Sequence, residues 1–127
     1  MIEHANEEIL VANPFVDRCH LSNALMEASG KKIPIILLTR PIHELEYNIE
    51  KKAEYHQELM KNGIALHYNN VVHAKIIIVD RSIAIMSSMN LTSSSSGGGS
   101  WEAGIVTTEE NVVDEAVRSI FEKLNRL

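Results

Sequence analysis

The stretch His73-Ala74-Lys75-Ile76-Ile77-Ile78-Val79-Asp80 decides how this chain is read. Its apolar core from Lys75 to Val79 is rich in β-branched residues and reads as a strand. A second apolar run, Ile83-Ala84-Ile85-Met86, follows after Asp80-Arg81-Ser82, so the two runs predict a hairpin. Upstream the pattern differs. Ile9 to Ala12 reads as a buried strand ended by Asn13-Pro14, because proline cannot continue a ladder. Leu21, Ala24, Leu25 and Ala28 recur at helical spacing, with Gly30 where a C-cap would sit. Ile33 to Leu38 is a continuous apolar run, as in a strand covered on both faces. Leu45, Ile49, Lys52, His56 and Leu59 mark an amphipathic helix over 44–62, closed by Gly63, and Ile64 to Tyr68 reads as a short strand.

A βαβαβ order favours parallel strands with covering helices. The hairpin adds antiparallel strands, so the expected fold class is α/β: a mixed sheet flanked by helices on both faces. Beyond the hairpin lie a low-complexity loop, Thr92 to Ser100, and a last strand from Ala103 to Thr107. A final helix starts near Asn111 and Asp114 and carries Val113, Val117, Ile120 and Leu124 on one face. There is no internal repeat.

At 127 residues the chain fits one domain. Cys19 is its single cysteine, which excludes an internal disulfide and makes a reducing cytoplasm the simplest compartment. No apolar stretch approaches the roughly 18 residues of a membrane span. Glu3, Glu7 and Glu8 are unlike the basic start of a signal peptide. The net charge of −5 argues against a broad nucleic-acid-binding face. Lys31, Lys32, Arg40, Lys51, Lys52, Lys61, Lys75 and Arg81 nevertheless fall between residues 31 and 81, which leaves room for a local basic groove.

His73 and Lys75, two apart on a strand, point to one face, where an imidazole and an ammonium can hold a phosphate between them. Ser88-Met89-Asn90 follows, offering a hydroxyl and an amide to the same oxygens if that segment is extended. Cleaving a phosphodiester without metal needs a nucleophile, an acid for the leaving oxygen, and cations or N–H donors on the non-bridging oxygens. Glu102, beyond the loop, can accept the second ring N–H of a histidine and fix its tautomer.

These residues spell H-x-K-x4-D followed by S-x-N and an acidic residue. The chain thereby resembles the phospholipase D superfamily, whose signature is H-x-K-x4-D with G-S-x-N. The likeness extends to Ile9-Leu-Val-Ala-Asn-Pro-Phe-Val-Asp17, to Ile36-Leu-Leu-Thr-Arg-Pro41 and to Ser87 through Gly104. It implies a covalent phosphohistidine on His73, charge stabilisation by Lys75, Ser88 and Asn90, and orientation by Glu102. Asp80 completes the catalytic set with a lesser, structural role. Ser87 stands where the signature has glycine. The chemistry asks for two histidines and the chain holds one motif, so the resemblance implies a homodimer with the active site at its interface. It also implies further strands ahead of Ile9. The expectation is therefore one phospholipase D-like domain over 1–127, read as whole or as an N-terminally truncated piece of a longer chain.

Other candidates are weaker. His4, His20, His43, His56 and His67 show no metal-ligand spacing, so no metal and no cofactor are expected. Cys19 reads as a small buried hydrophobe. Trp101 can stack on a base or fill a gap beside the loop. Arg40, at the end of a parallel strand, can touch a substrate backbone or serve the surface. The resulting expectation is a metal-independent nuclease acting on nucleic acid. Two alternatives stay open: a phospholipase or phosphatidyl transferase, which an exposed apolar rim around the cleft would favour, and a non-catalytic nucleic-acid-binding module of a larger helicase or restriction-type protein.

Overall fold

The computed structural model describes residues 2–42, 49–91 and 102–124. After a 3-10 turn at Ile2–His4 the elements run β1 (Ile9–Ala12), α1 (His20–Gly30), β2 (Ile35–Thr39), α2 (Ile49–Lys61), β3 (Ala65–Tyr68), β4 (Ile76–Val79), β5 (Ile83–Ser87), β6 (Gly104–Thr107) and α3 (Glu110–Leu124). The six strands form one sheet in the order β3-β2-β1-β4-β5-β6. β1, β2 and β3 are parallel, whereas β4 runs antiparallel to β1 and to β5, and β5 antiparallel to β6. The expected mixed α/β sheet is therefore present. Residues 43–48, the first part of the predicted 44–62 helix, lie outside the described residues.

Alternation along the strands sorts the core into two layers. Ile9, Val11, Ile35 and Leu37 face α1 and α2, meeting Leu25, Ala28, Tyr55 and Leu59. Leu10, Ala12, Ile78 and Ala84 face α3, meeting Val113, Ala116, Val117 and Ile120. Burying one such aliphatic side chain contributes about 1.5–3 kcal/mol, whereas an exposed ion pair such as Arg18–Glu58 contributes about 0–1 kcal/mol. The apolar pattern therefore sets where the helices sit. No described helix is long and apolar enough to cross a membrane.

The two helices of the first half end by the same device. In α2 the N–H groups of Gly63 and Ile64 reach back to Met60 O and Leu59 O, with Gly63 at φ +95°. In α1 the N–H groups of Lys32 and Ile33 reach Ser29 O and Ala28 O, and the left-handed residue is Lys32, at φ 66°. Both are Schellman closures with an isoleucine one residue beyond the left-handed position. Gly30, expected as the cap, is instead the last helical residue. Ile33 packs against the core and dictates where the chain reverses, so a lysine occupies a position that suits glycine. Lys32→Gly is expected to raise stability by about 1 kcal/mol, read as a higher midpoint in urea. An unchanged or lower midpoint would refute the strain.

The predicted hairpin forms with Ile76 opposite Met86 and Val79 opposite Ile83. Asp80 and Arg81 both take positive φ, 53° and 51°, and Ser82 N donates to Val79 O at 3.0 Å. This is the geometry of a type I′ turn, whose twist matches the flanking strands.

Candidate active site

The strand directions bring the motif together at one end of the sheet. β4 starts where β1 ends, since Ala12 pairs with Ile76. β5 finishes at that same end, where Met86 pairs with Ile76, and β6 begins there, where Gly104 pairs with Ser87. His73 and Lys75, Ser87 through Asn90, and Glu102 therefore converge beyond the carboxyl ends of the parallel strands, the usual ligand position in an open α/β sheet.

His73 is exposed, and neither it nor Lys75 belongs to β4, which begins at Ile76. Lys75 still extends the β4–β5 ladder, its carbonyl accepting Ser87 N at 3.1 Å, whereas the segment before it is a loop held at several points. Asn69 N donates to Thr39 O at 2.9 Å, and Asn69 Nδ2 donates to Lys123 O at 3.2 Å. Val72 is buried, and its carbonyl accepts Arg40 Nε at 2.7 Å. Lys75 Nζ donates to His73 O at 3.1 Å, the one hydrogen bond of its ammonium among the described residues. An ammonium has three N–H groups, so two remain for a substrate oxygen.

Arg40 lies over the Phe15 ring at 5.7 Å. With Nε committed to Val72 O, it acts here as a brace for the residue before His73. Ser88 and Glu102 are joined directly, the serine Oγ donating to Glu102 Oε2, while Ala103 N donates to Ser88 Oγ at 3.1 Å. No hydrogen bond among the described residues joins Glu102 to His73. Ser88 and Asn90 lie past the end of β5, so they are not co-facial strand residues. Asn90 Oδ1 is buried with no partner among the described residues. Trp101 and the 92–100 loop lie outside the described residues.

Asp80, expected in a lesser, structural role, stands apart from the other residues of the predicted catalytic set. It sits at the opposite end of β4, five residues and on the order of 16 Å from Lys75. Its carboxylate accepts the backbone N–H groups of Asn6, Glu7 and Glu8, at 3.0, 2.7 and 3.0 Å. Its role is to pin the N-terminal segment. Partial burial opposes its ionisation, but the three N–H donors outweigh this and hold the carboxyl below the usual range. A carboxyl depressed on folding adds stability above its unfolded value near pH 4 and loses it as pH falls through the folded value. Asp80→Asn is therefore expected to cost about 1–2 kcal/mol at pH 7 and progressively less toward pH 2, as urea melts across pH would show. A constant cost would contradict the assignment.

Two further residues belong to the site although no motif marks them. Asn13, which ends β1, is buried and bonds to the segment around Asn90. Gly104 faces Ser87, and a Cβ on it would lie 3.1 Å from Ser87 Cβ and 3.2 Å from Met86 O. The side chain that Ser87 adds where the signature has glycine thus meets a glycine across the strand pair. A buried polar residue at a strand end was the available signal for Asn13. Nothing local marked Gly104.

Beside the site, between α1 and β4, β5 and β6, lies a cavity of about 490 Å³. Leu21, Ala24, Ile77, Ile85 and Val106 supply apolar walls, and Lys75, Ser87 and Glu102 line it as well. Val106 on edge strand β6 is 53% exposed, so apolar surface lies at the cavity mouth, while its neighbour Ile105 points to the opposite, α3-side face of the sheet. Among the described residues no group of three or more His, Cys, Asp or Glu gathers around a point that could hold an ion.

The family described as cardiolipin synthase, PLD-like domain, matches residues 1–125. No curated protein matches the chain. Among solved structures, a phospholipase D family member, Nuc from Salmonella typhimurium, is similar with a TM-score of 0.84 and 16% identity, covering 98% of this chain and 82% of that one. NucT from Helicobacter pylori is similar at a TM-score of 0.76 and 12% identity, with the same coverage. A polyphosphate kinase from Porphyromonas gingivalis also matches, at 0.76 and 15%, over 96% of this chain and 22% of that one. At these identities the structural likeness is one of fold.

Proposed function

The chain belongs to the phospholipase D superfamily, in the family of cardiolipin synthase PLD-like domains, and from that premise we propose that it is a phosphodiesterase whose nucleophile is His73. The observation that carries this reading is the convergence of His73, Lys75, Ser88, Asn90 and Glu102 at one end of the sheet. A ring nitrogen of His73 attacks phosphorus while the bond to the leaving oxygen breaks, giving a phosphohistidine. Lys75 and the Asn90 amide stabilise the charge on the non-bridging oxygens. A second imidazole, from His73 of another copy of the chain, protonates the leaving oxygen. It then takes a proton from water, which attacks phosphorus and frees His73. Glu102, through Ser88, holds the β5–β6 side of the site in place. The working unit is read as a homodimer in which residues 1–127 form one phospholipase D-like domain, whether whole or part of a longer chain.

The substrate is read as nucleic acid, with Arg40 and Trp101 as contacts for a flanking phosphate and base. The fold likeness to Nuc and NucT over 98% of the chain supports that choice. The apolar cavity next to Lys75 and the exposed Val106 at its mouth favour a second reading, in which a phosphatidyl group is the substrate. Hydrolysis of a fluorescent single-stranded oligonucleotide and of phosphatidylglycerol vesicles, each in excess EDTA, separates the two. Oligonucleotide cleavage alone supports the nuclease, and vesicle cleavage alone replaces it with the lipid reading. Activity that EDTA abolishes would overturn the metal-independent route.

A further inference from the structure

We propose that Asn13 is a positioning residue that fixes Asn90 for catalysis, an inference that rests on the functional reading above. Asn13 stands at the end of β1 and is 3% exposed. Its Nδ2 donates to Met89 O at 3.1 Å, and its Oδ1 accepts Leu91 N at 3.3 Å. Met89 and Leu91 are the two neighbours of Asn90, so one amide grips the peptide groups on both sides of it. Oδ1 also accepts Phe15 N at 3.2 Å, and Asn13 N donates to Leu38 O at 3.0 Å, which ties the grip to the parallel half of the sheet. Leu91 is buried, and its carbonyl accepts Asp17 N at 2.8 Å.

The side chain of Asn90 does not hold itself there. Its Oδ1 is buried without a partner among the described residues, an unfavourable place for an acceptor. The grip on its backbone is what keeps it from swinging to solvent. With Oδ1 turned inward, the NH2 end is the part of the amide left to face a phosphate oxygen. An asparagine suits the role because one planar group supplies both the donor and the acceptor. Aspartate keeps the acceptor and loses the donor to Met89 O.

The test is a double-mutant cycle for hydrolysis with Asn13→Asp, Asn13→Ser, Asn90→Ala and the pairs, beside amide hydrogen exchange of the full chain. Misplacing a catalytic group by about 1 Å costs on the order of 100-fold. Folded Asn13 variants should therefore lose about 10- to 100-fold in kcat with KM nearly unchanged, and should lose little more once Asn90 is alanine. Equal losses in both backgrounds, or an unchanged kcat, would overturn the proposal. Exchange gives an answer independent of turnover: amides of residues 88–91 should exchange about tenfold faster in the variants while those of β2 do not. Uniform acceleration, or none, would overturn it too. Absence of turnover in the wild type would sink the phosphodiesterase reading and leave exchange to judge the grip.

Discussion

His73→Asn is expected to lower kcat by at least about 10,000-fold while the fold survives. The nucleophile of a covalent mechanism is not replaceable by neighbouring groups, and removing it alone costs nearly all that the assembled site provides. Asparagine keeps a polar side chain of moderate size at an exposed loop position, so stability should move by no more than about 0.5 kcal/mol. Rapid quenching of the wild type with a 32P-labelled substrate should trap acid-labile, base-stable label on the protein, and the variant should trap none. Mixing gives a second reading. If each site needs His73 from two copies, an equal mixture of wild type and variant, re-equilibrated, holds about one quarter fully competent dimers by random pairing. Its activity should fall to that fraction and not to one half. A value of one half would mean that a single histidine suffices within one chain, and undiminished turnover by His73→Asn would remove His73 from the mechanism.

Lys75→Met should cost about 100- to 1,000-fold, chiefly in kcat. Methionine preserves the length and the apolar stem beside the cavity, so what is lost is the charge. A cation at a developing negative oxygen is worth several kcal/mol only where it is already in place. Lys75 is so placed, because its tether to His73 O keeps the ammonium beside the nucleophile's own backbone. Lys75→Arg should rescue only part of the loss, since a planar fork does not reproduce a compact point charge at that carbonyl. Steady-state kinetics of the three proteins decide this. A loss confined to KM would show Lys75 to be a binding group and not a stabiliser of the transition state.

Much of the frame was legible because apolar spacing is a local property. Val113, Val117 and Ile120 marked the buried face of α3, and the runs around Asp80-Arg81-Ser82 marked the hairpin, without knowledge of their neighbours. The misreadings came where a distant residue decides. Lys75 continues the β4–β5 ladder as its apolar run suggests, but the segment before it, with His73, answers to Arg40 and Asn69 at the ends of other strands. Gly30 looks like a cap until Ile33 is anchored in the core and moves the reversal to Lys32. The signature gives Asp80 a structural role, but its partners, three amides more than seventy residues away in sequence, are supplied only by the fold. The Ser88–Glu102 pair and the Asn13 grip likewise join residues whose meeting depends on strand order.

The pairing of β1 with β4 has one more implication. Along this seam the parallel and antiparallel halves of the sheet meet through four residue pairs, from Ile9–Val79 to Ala12–Ile76. A slip of one residue there would turn Ile77 and Ile78 to the wrong layers and carry His73 and Lys75 out of line with Asn13 and Arg40. Misalignment of the catalytic groups and rupture of the core are thus a single error. The chain can hardly keep one in order without the other, and loss of alignment should be visible as loss of the native state itself.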